Sequence, residues 1–94
     1  MPENDIRHED GFLRDVRQLP KQVQTKLASL LETLRKNAFA SELHTKPLKT
    51  PLSGKYSFRI TRDWRVGFQF EGRGVIKLLA ADNRSKIYRK LERF

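Results

Sequence analysis

The chain has 94 residues, 37% of them hydrophobic and none of them cysteine, with a formal net charge of +9. This length suits one domain with one modest core, over 1–94, and is too short for two; without cysteine, neither a disulfide framework nor a thiolate metal site can form. The opening MPENDIRHEDGF lacks the apolar stretch of a signal peptide and no later run could span a bilayer, so a cytoplasmic protein without membrane contact is expected.

The charge is unevenly placed. Residues 1–45 balance seven Lys/Arg with seven Asp/Glu, whereas residues 46–94 carry thirteen against four. A single-sign block on a folded half points to a polyanionic partner, with nucleic acid first and an acidic protein as the alternative.

In chain order, Ile6–His8 reads as a short edge strand. DGFLRDVRQLP sets Phe12, Leu13, Val16 and Leu19 at helical spacing, with Asp10 as a cap and Pro20 as a stop. KQVQTKLASLLETLRKN repeats the pattern through Val23, Leu27, Leu30, Leu31 and Leu34. Together they predict a helical hairpin over about 10–36. From Asn37 to Gly54 the periodicity dissolves into a connection rich in Pro, Ser, Thr and Gly. A sheet is then expected over about 55–81: Tyr56, Phe58 and Ile60 alternate with polar residues, as do Trp64, Val66, Phe68 and Phe70, and VIKLLAA follows a turn at Glu71–Gly74. Ile87, Leu91 and Phe94 mark a C-terminal helix over about 84–93. The fold class is α+β, a small antiparallel sheet on an N-terminal helical hairpin, in the order β-α-α-β-β-β-α with helices on one face.

The hairpin KYSFRITRDWRVGFQFEG carries the functional signal. Opposed residues of an antiparallel pair share a face. Pairing Ile60 with Trp64 sends both to the core and leaves Thr61, Arg62 and Asp63 as a three-residue loop. That register opposes Arg59 to Arg65, and Ser57 to Gly67, on the other face. Two guanidinium groups with Cβ atoms about 5 Å apart need an anion or carboxylates to offset their repulsion, and the nearest acids in sequence, Asp63 and Glu71, lie at loop ends. The planar guanidinium fork suits phosphate oxygens. The plainer alternative lays both stems flat over the sheet with their heads in water.

In DNRSKIY, a helix would put Arg84 and Tyr88 on one face at i, i+4, although taken alone Tyr88 is more simply read as closing the core edge beside Ile87 and Leu91. His8 and His44 lack ligand spacing, so no metal is expected. SGK lacks the upstream glycine of a phosphate loop. No paired carboxylates or Ser-His-Asp arrangement is present.

LSGKYSFRITRDWRVGFQFE…IKLLAADNRSKIYRKL resembles the RelE/ParE superfamily of bacterial type II toxins over nearly the whole chain, and YSFRITRDWRV is most similar to its HigB-like branch. The resemblance implies a toxin that cuts messenger RNA in the ribosomal A site without metal or other cofactor, the ribose 2′-hydroxyl attacking the scissile phosphate. Carried over residue by residue, Arg59 and Arg65 clamp the phosphate, Arg84 assists the leaving oxygen and Tyr88 positions the nucleotide. Lys46, Lys49, Lys55, Ser57, Arg62, Asn83 and Lys86 are the accompanying RNA contacts. The implied partners are a cognate antitoxin, the ribosome with its message, and operator DNA through the antitoxin. Ser57 and Asn83 stand where many members have lysine and histidine, so no obvious general base is present; Lys55, His44 and Tyr88 are the candidates. ParE-like members share the fold yet inhibit DNA gyrase by protein binding alone, and this alternative stays open, as does a non-toxic regulatory module.

Overall fold

The computed structural model describes residues 3–94. Chain order is β1 (Asp5–His8), α1 (Phe12–Arg17), α2 (Lys21–Lys36), a 3₁₀ turn at Ser41–Leu43, β2 (Lys46–Pro47), β3 (Tyr56–Arg59), β4 (Trp64–Gly72), β5 (Val75–Asn83) and α3 (Ile87–Leu91). The order read from the sequence therefore holds, with one added two-residue strand inside the supposed connection. Pro47 fits there because β2 lies at the sheet's edge, where a missing donor costs little.

The five strands run β1-β5-β4-β3-β2. Every neighbouring pair is antiparallel except β1, which lies parallel to β5. Parallel partners need a long connection, and β1 reaches β5 only through α1, α2 and the three intervening strands. The sheet is thus mixed where an antiparallel one was expected.

Helix α2 follows from its spacing: Val23, Leu27, Leu30 and Leu34 are buried on one stripe. Its last carbonyls are met by the N-terminal segment, since the Asn4 amide donates to Arg35 O at 2.7 Å and Asn4 Nδ2 to Leu34 O at 3.1 Å. Helix α1 starts later than its pattern suggests. Gly11 occupies the cap position and no side chain caps the helix, so Asp10 does not play the part expected of it; Leu13 is exposed.

The main core joins α1, α2 and one sheet face through Phe12, Leu27, Leu34, Phe58, Val66 and Phe68. Contrary to the expectation of helices on one face, α3 packs on the other, over a second small core of Leu52, Leu79, Ala80, Ile87 and Leu91. Two features of the sheet admit it. A bulge between Gly67 and Phe68 of β4 leaves one extra β5 residue, so that Leu79 and Ala80 both join this second core. Gly67 supplies the space: a Cβ there would overlap the Leu91 side chain.

Helix α3 also begins three residues later than expected. Asn83 Oδ1 accepts from Ser85 N, Ser85 Oγ and Lys86 N at 3.1, 2.7 and 3.1 Å, which holds 83–86 as a turn. Phe94, read as part of the apolar face, is exposed. Among the described residues no helix is long and apolar enough to cross a membrane.

Candidate nucleic-acid interface

The hairpin register matches the sequence reading. Arg59 lies opposite Arg65 and Ser57 opposite Gly67, and the Ile60 amide donates to Trp64 O at 2.8 Å, closing the Thr61–Asp63 loop. Trp64, half-buried, packs against the main core. Both arginines therefore belong to the face that carries α3.

That face is not bare, and the difference shapes the site. The short α3 brings Tyr88 over the sheet beside Lys46, Ser57 and Arg65. Lys46 Nζ lies 5.4 Å from the Tyr88 ring centroid, within the range of a cation–π contact. Burial acts to raise the pKa of the Tyr88 hydroxyl, but the nearby Lys46 ammonium, the positive charge of Arg65 and the Ser57 hydroxyl together outweigh it. The net direction is below the ordinary phenol value. Ser57 is the polar residue found fully buried, 1% exposed. It makes the floor on which Tyr88 sits.

Arg65 is the other distinctive member. Its Nη2 makes only a long contact of 3.4 Å to Arg62 O. Its Nε is buried with no hydrogen-bond partner. Buried donors are nearly always paired, so this one is unusual, and the Arg65 charge is near enough to act on the Tyr88 hydroxyl. Directly across β4 from Arg65 stands Asp82, whose Oδ1 accepts from Asn83 N at 2.8 Å and whose Oδ2 pairs with Lys90 at 3.3 Å. This acid offsets part of the Arg59–Arg65 repulsion from the far side without forming an ion pair to either arginine.

Lys90 connects the site to the rest of the fold. It also pairs with Asp15 Oδ1 at 2.8 Å. Asp15 Oδ2 in turn accepts from the Ala81 amide at 3.0 Å, beyond the reach of β1. One lysine on α3 is thus held by an acid from α1 and another from β5, and that grip sets where Tyr88 rests.

The remaining expected residues scatter. Arg84 precedes α3 and is drawn away: its amide donates to Asp63 O at 2.7 Å and its Nε lies 3.7 Å from Asp63 Oδ1. The i, i+4 face with Tyr88 therefore does not form. Asn83 spends its side-chain oxygen on the turn. Lys46 and Lys49 flank a cavity of about 480 Å³ between the 46–52 loop and α3, which Tyr88 also lines. Lys86 is exposed beside the turn, and Arg62 is exposed at the hairpin tip. Lys55 is half-buried at the start of the hairpin. Of the thirteen cations in 46–94, only Lys77, Arg84 and Lys90 form ion pairs among the described residues. Nothing local joins Lys46 to Tyr88; the alternation in TKPL on an edge strand was the available signal, masked by its proline. Asp82 facing Arg65 needed the β4–β5 register. Among the described residues no three of His, Asp and Glu gather at metal-ligand spacing.

No protein-family model matches the chain, and no curated protein matches it. Solved structures do. The RelBE2 toxin–antitoxin complex of Mycobacterium tuberculosis aligns at 21% identity and a TM-score of 0.74, covering 90% of this chain and 95% of that one. YafQ of Escherichia coli aligns at 17% identity and 0.74, covering 90% and 98%. This chain has the RelE-like toxin fold. The YoeB–YefM complex of Staphylococcus aureus aligns at 24% identity and a TM-score of 0.68, covering 84% and 94%. Within the RelE-like fold these neighbours do not single out the HigB-like branch, which stays a likeness of the hairpin alone.

Proposed function

We propose that the protein is the toxin of a type II toxin–antitoxin pair and acts as a ribosome-dependent messenger-RNA endonuclease. The observation that carries this reading is Arg65 set opposite Arg59 and near Tyr88, with neither arginine in an ion pair among the described residues. A scissile phosphate seated there meets a charged donor at its oxygens, with Arg59 beside it and Lys46 across the tyrosine. Such preorganised charge stabilises the pentacoordinate phosphorane, worth about 10²–10³ in rate for one donor.

In the step itself the ribose 2′-oxygen bonds to phosphorus, the P–O5′ bond breaks and the 5′-oxygen departs with its electron pair. Tyr88, with its pKa lowered by Lys46 and Arg65, is the side chain suited to protonate that oxygen as it leaves. The 2′ proton passes to solvent. Arg84, held by Asp63, is assigned no part in bond cleavage here; it fixes the β3–β4 loop against the turn before α3. Cytoplasmic localisation, a cognate antitoxin and operator binding through that antitoxin belong to the same reading. They are supported by the RelE-like fold and by solved neighbours that are toxin–antitoxin complexes.

One observation favours a second reading. With Arg84 engaged and no histidine beside Arg65, the reactive set is sparse, as it would be for a gyrase-binding toxin without nuclease activity. Primer extension on a message translated in vitro tests the first reading: cleavage within ribosome-bound codons that disappears with Arg65→Ala supports it. Intact message together with stalled DNA supercoiling supports the second.

A further inference from the structure

Arg59 has a second set of neighbours that the step above does not use. A cavity of about 140 Å³ opens where α2, the 3₁₀ turn and the hairpin loop meet, lined by Lys26, Glu42, His44, Arg59, Thr61 and Arg62, with Ile60 the one apolar side chain in its wall. Three segments far apart in sequence thus bring three permanent cations and an imidazole to one polar hollow. Among the described residues Lys26, Arg59 and Arg62 form no ion pair, with Glu42 or with any other acid. Glu42 is the one acid in the wall, so three cations outnumber it and repel one another unless a further anion joins them.

His44 adds an independent sign. Its backbone sits at φ 49°, ψ 43°, in the left-handed region, and it is the non-glycine residue recorded there. Glycine takes that conformation freely, whereas a residue with a Cβ pays for it. Strain kept at a cavity wall points to a use for the side chain.

We infer that this cavity is a phosphate subsite for single-stranded RNA, adjacent to the phosphate at Arg65. Lys26, Arg62 and His44 hold a neighbouring phosphodiester, and Arg59 spans the two positions. The inference rests on the reading that an RNA phosphate lies at Arg65. An acidic peptide is the other polyanion with suitable charge. RNA fits better because Arg59, in the cavity wall, is also the strand partner of Arg65 on the face that holds Tyr88, while Ile60 alone offers an apolar anchor for a peptide.

The test measures binding without cleavage, using a fluorescent 2′-O-methyl oligonucleotide titrated over a range of salt. Wild type is compared with the double variant Lys26→Gln/Arg62→Gln, with His44→Gly and with Arg65→Gln. The double variant is expected to lower the slope of log affinity against log salt by about 0.7, one phosphate contact on a single strand. His44→Gly is expected to weaken binding while its melting temperature holds or rises, which a purely structural histidine would not do. An unchanged slope in the double variant, with a reduced slope in Arg65→Gln, overturns the subsite and spares the site at Arg65. Salt-independent binding in the wild type overturns both. Loss of poly-glutamate binding in the double variant, with oligonucleotide binding intact, reassigns the cavity to an acidic partner and overturns the RNA subsite.

Discussion

Arg65 and Tyr88 divide the proposed chemistry between a fixed charge and a tuned proton. Removing the guanidinium with Arg65→Ala is expected to slow ribosome-dependent cleavage about 10²- to 10³-fold, read by primer extension, without preventing folding. For Tyr88 the pH profile is the more telling measurement. A general acid works in its protonated form, so activity falls as pH rises through its pKa. Because Lys46 and Arg65 pull that pKa below the ordinary phenol value, the alkaline fall should begin below about pH 10 and shift upward in Lys46→Met. Tyr88→Phe should lose about 10²-fold or more in rate and the alkaline limb with it. A Tyr88→Phe enzyme that keeps both rate and limb would show that the ring serves only as a surface. Gly67 gives the residue-scale test of the fold: Gly67→Ala pushes a methyl into Leu91 and should cost about 1–3 kcal/mol by overpacking, seen as a lower melting temperature.

At the scale of elements, α3 is the part on which the site depends. It has five residues, too few to be stable alone, and it stays in place through Ile87, Leu91 and the Lys90 grip on Asp15 and Asp82. Lys90→Met is expected to cost about 1–3 kcal/mol, since it leaves two half-buried carboxylates without their cation. Hydrogen exchange should quicken in α3 and at the Ala81 amide; unaltered exchange there would show that apolar packing alone docks the helix. Trp64→Ala should cost about 2–3 kcal/mol, under the usual figure for a fully buried aromatic, because Trp64 is only half-buried.

The elements also show which parts of the fold the sequence could disclose. Alternation from Tyr56 to Phe70 was strong enough to place Arg59 opposite Arg65 and to seat Trp64 on the core side, because period two admits only one face once the loop length is chosen. Helix α2 was equally plain from its leucines. What escaped was long-range: α3 on the second face, the bulge that turns Leu79 and Ala80 toward it, and β2 beside Ser57. None has a local period, and each depends on contacts between distant segments. The site inherits the same division. Arg59 and Arg65 come from one hairpin and were visible, whereas Lys46 at Tyr88, Asp82 at Arg65 and the Lys26–His44–Arg62 cavity exist only once the sheet has assembled.

For the molecule as a whole, the ten cations of the second half that form no ion pair among the described residues make an electrostatic claim. Binding to ribosomes or RNA should weaken steeply as salt rises, through release of counterions from phosphates, and a flat response between low and physiological ionic strength would contradict a phosphate-directed face. On the proposed reading the same field would speed capture by an acidic antitoxin segment, so message and antitoxin would compete for one surface. The central claim is that this surface cuts message on the ribosome. Primer extension across a message translated in vitro, with wild type and with Arg65→Ala, measures that directly. The account predicts new 5′ ends inside ribosome-bound codons for wild type and few or none for the variant. Full-length message in both, from protein that still arrests growth, would contradict it.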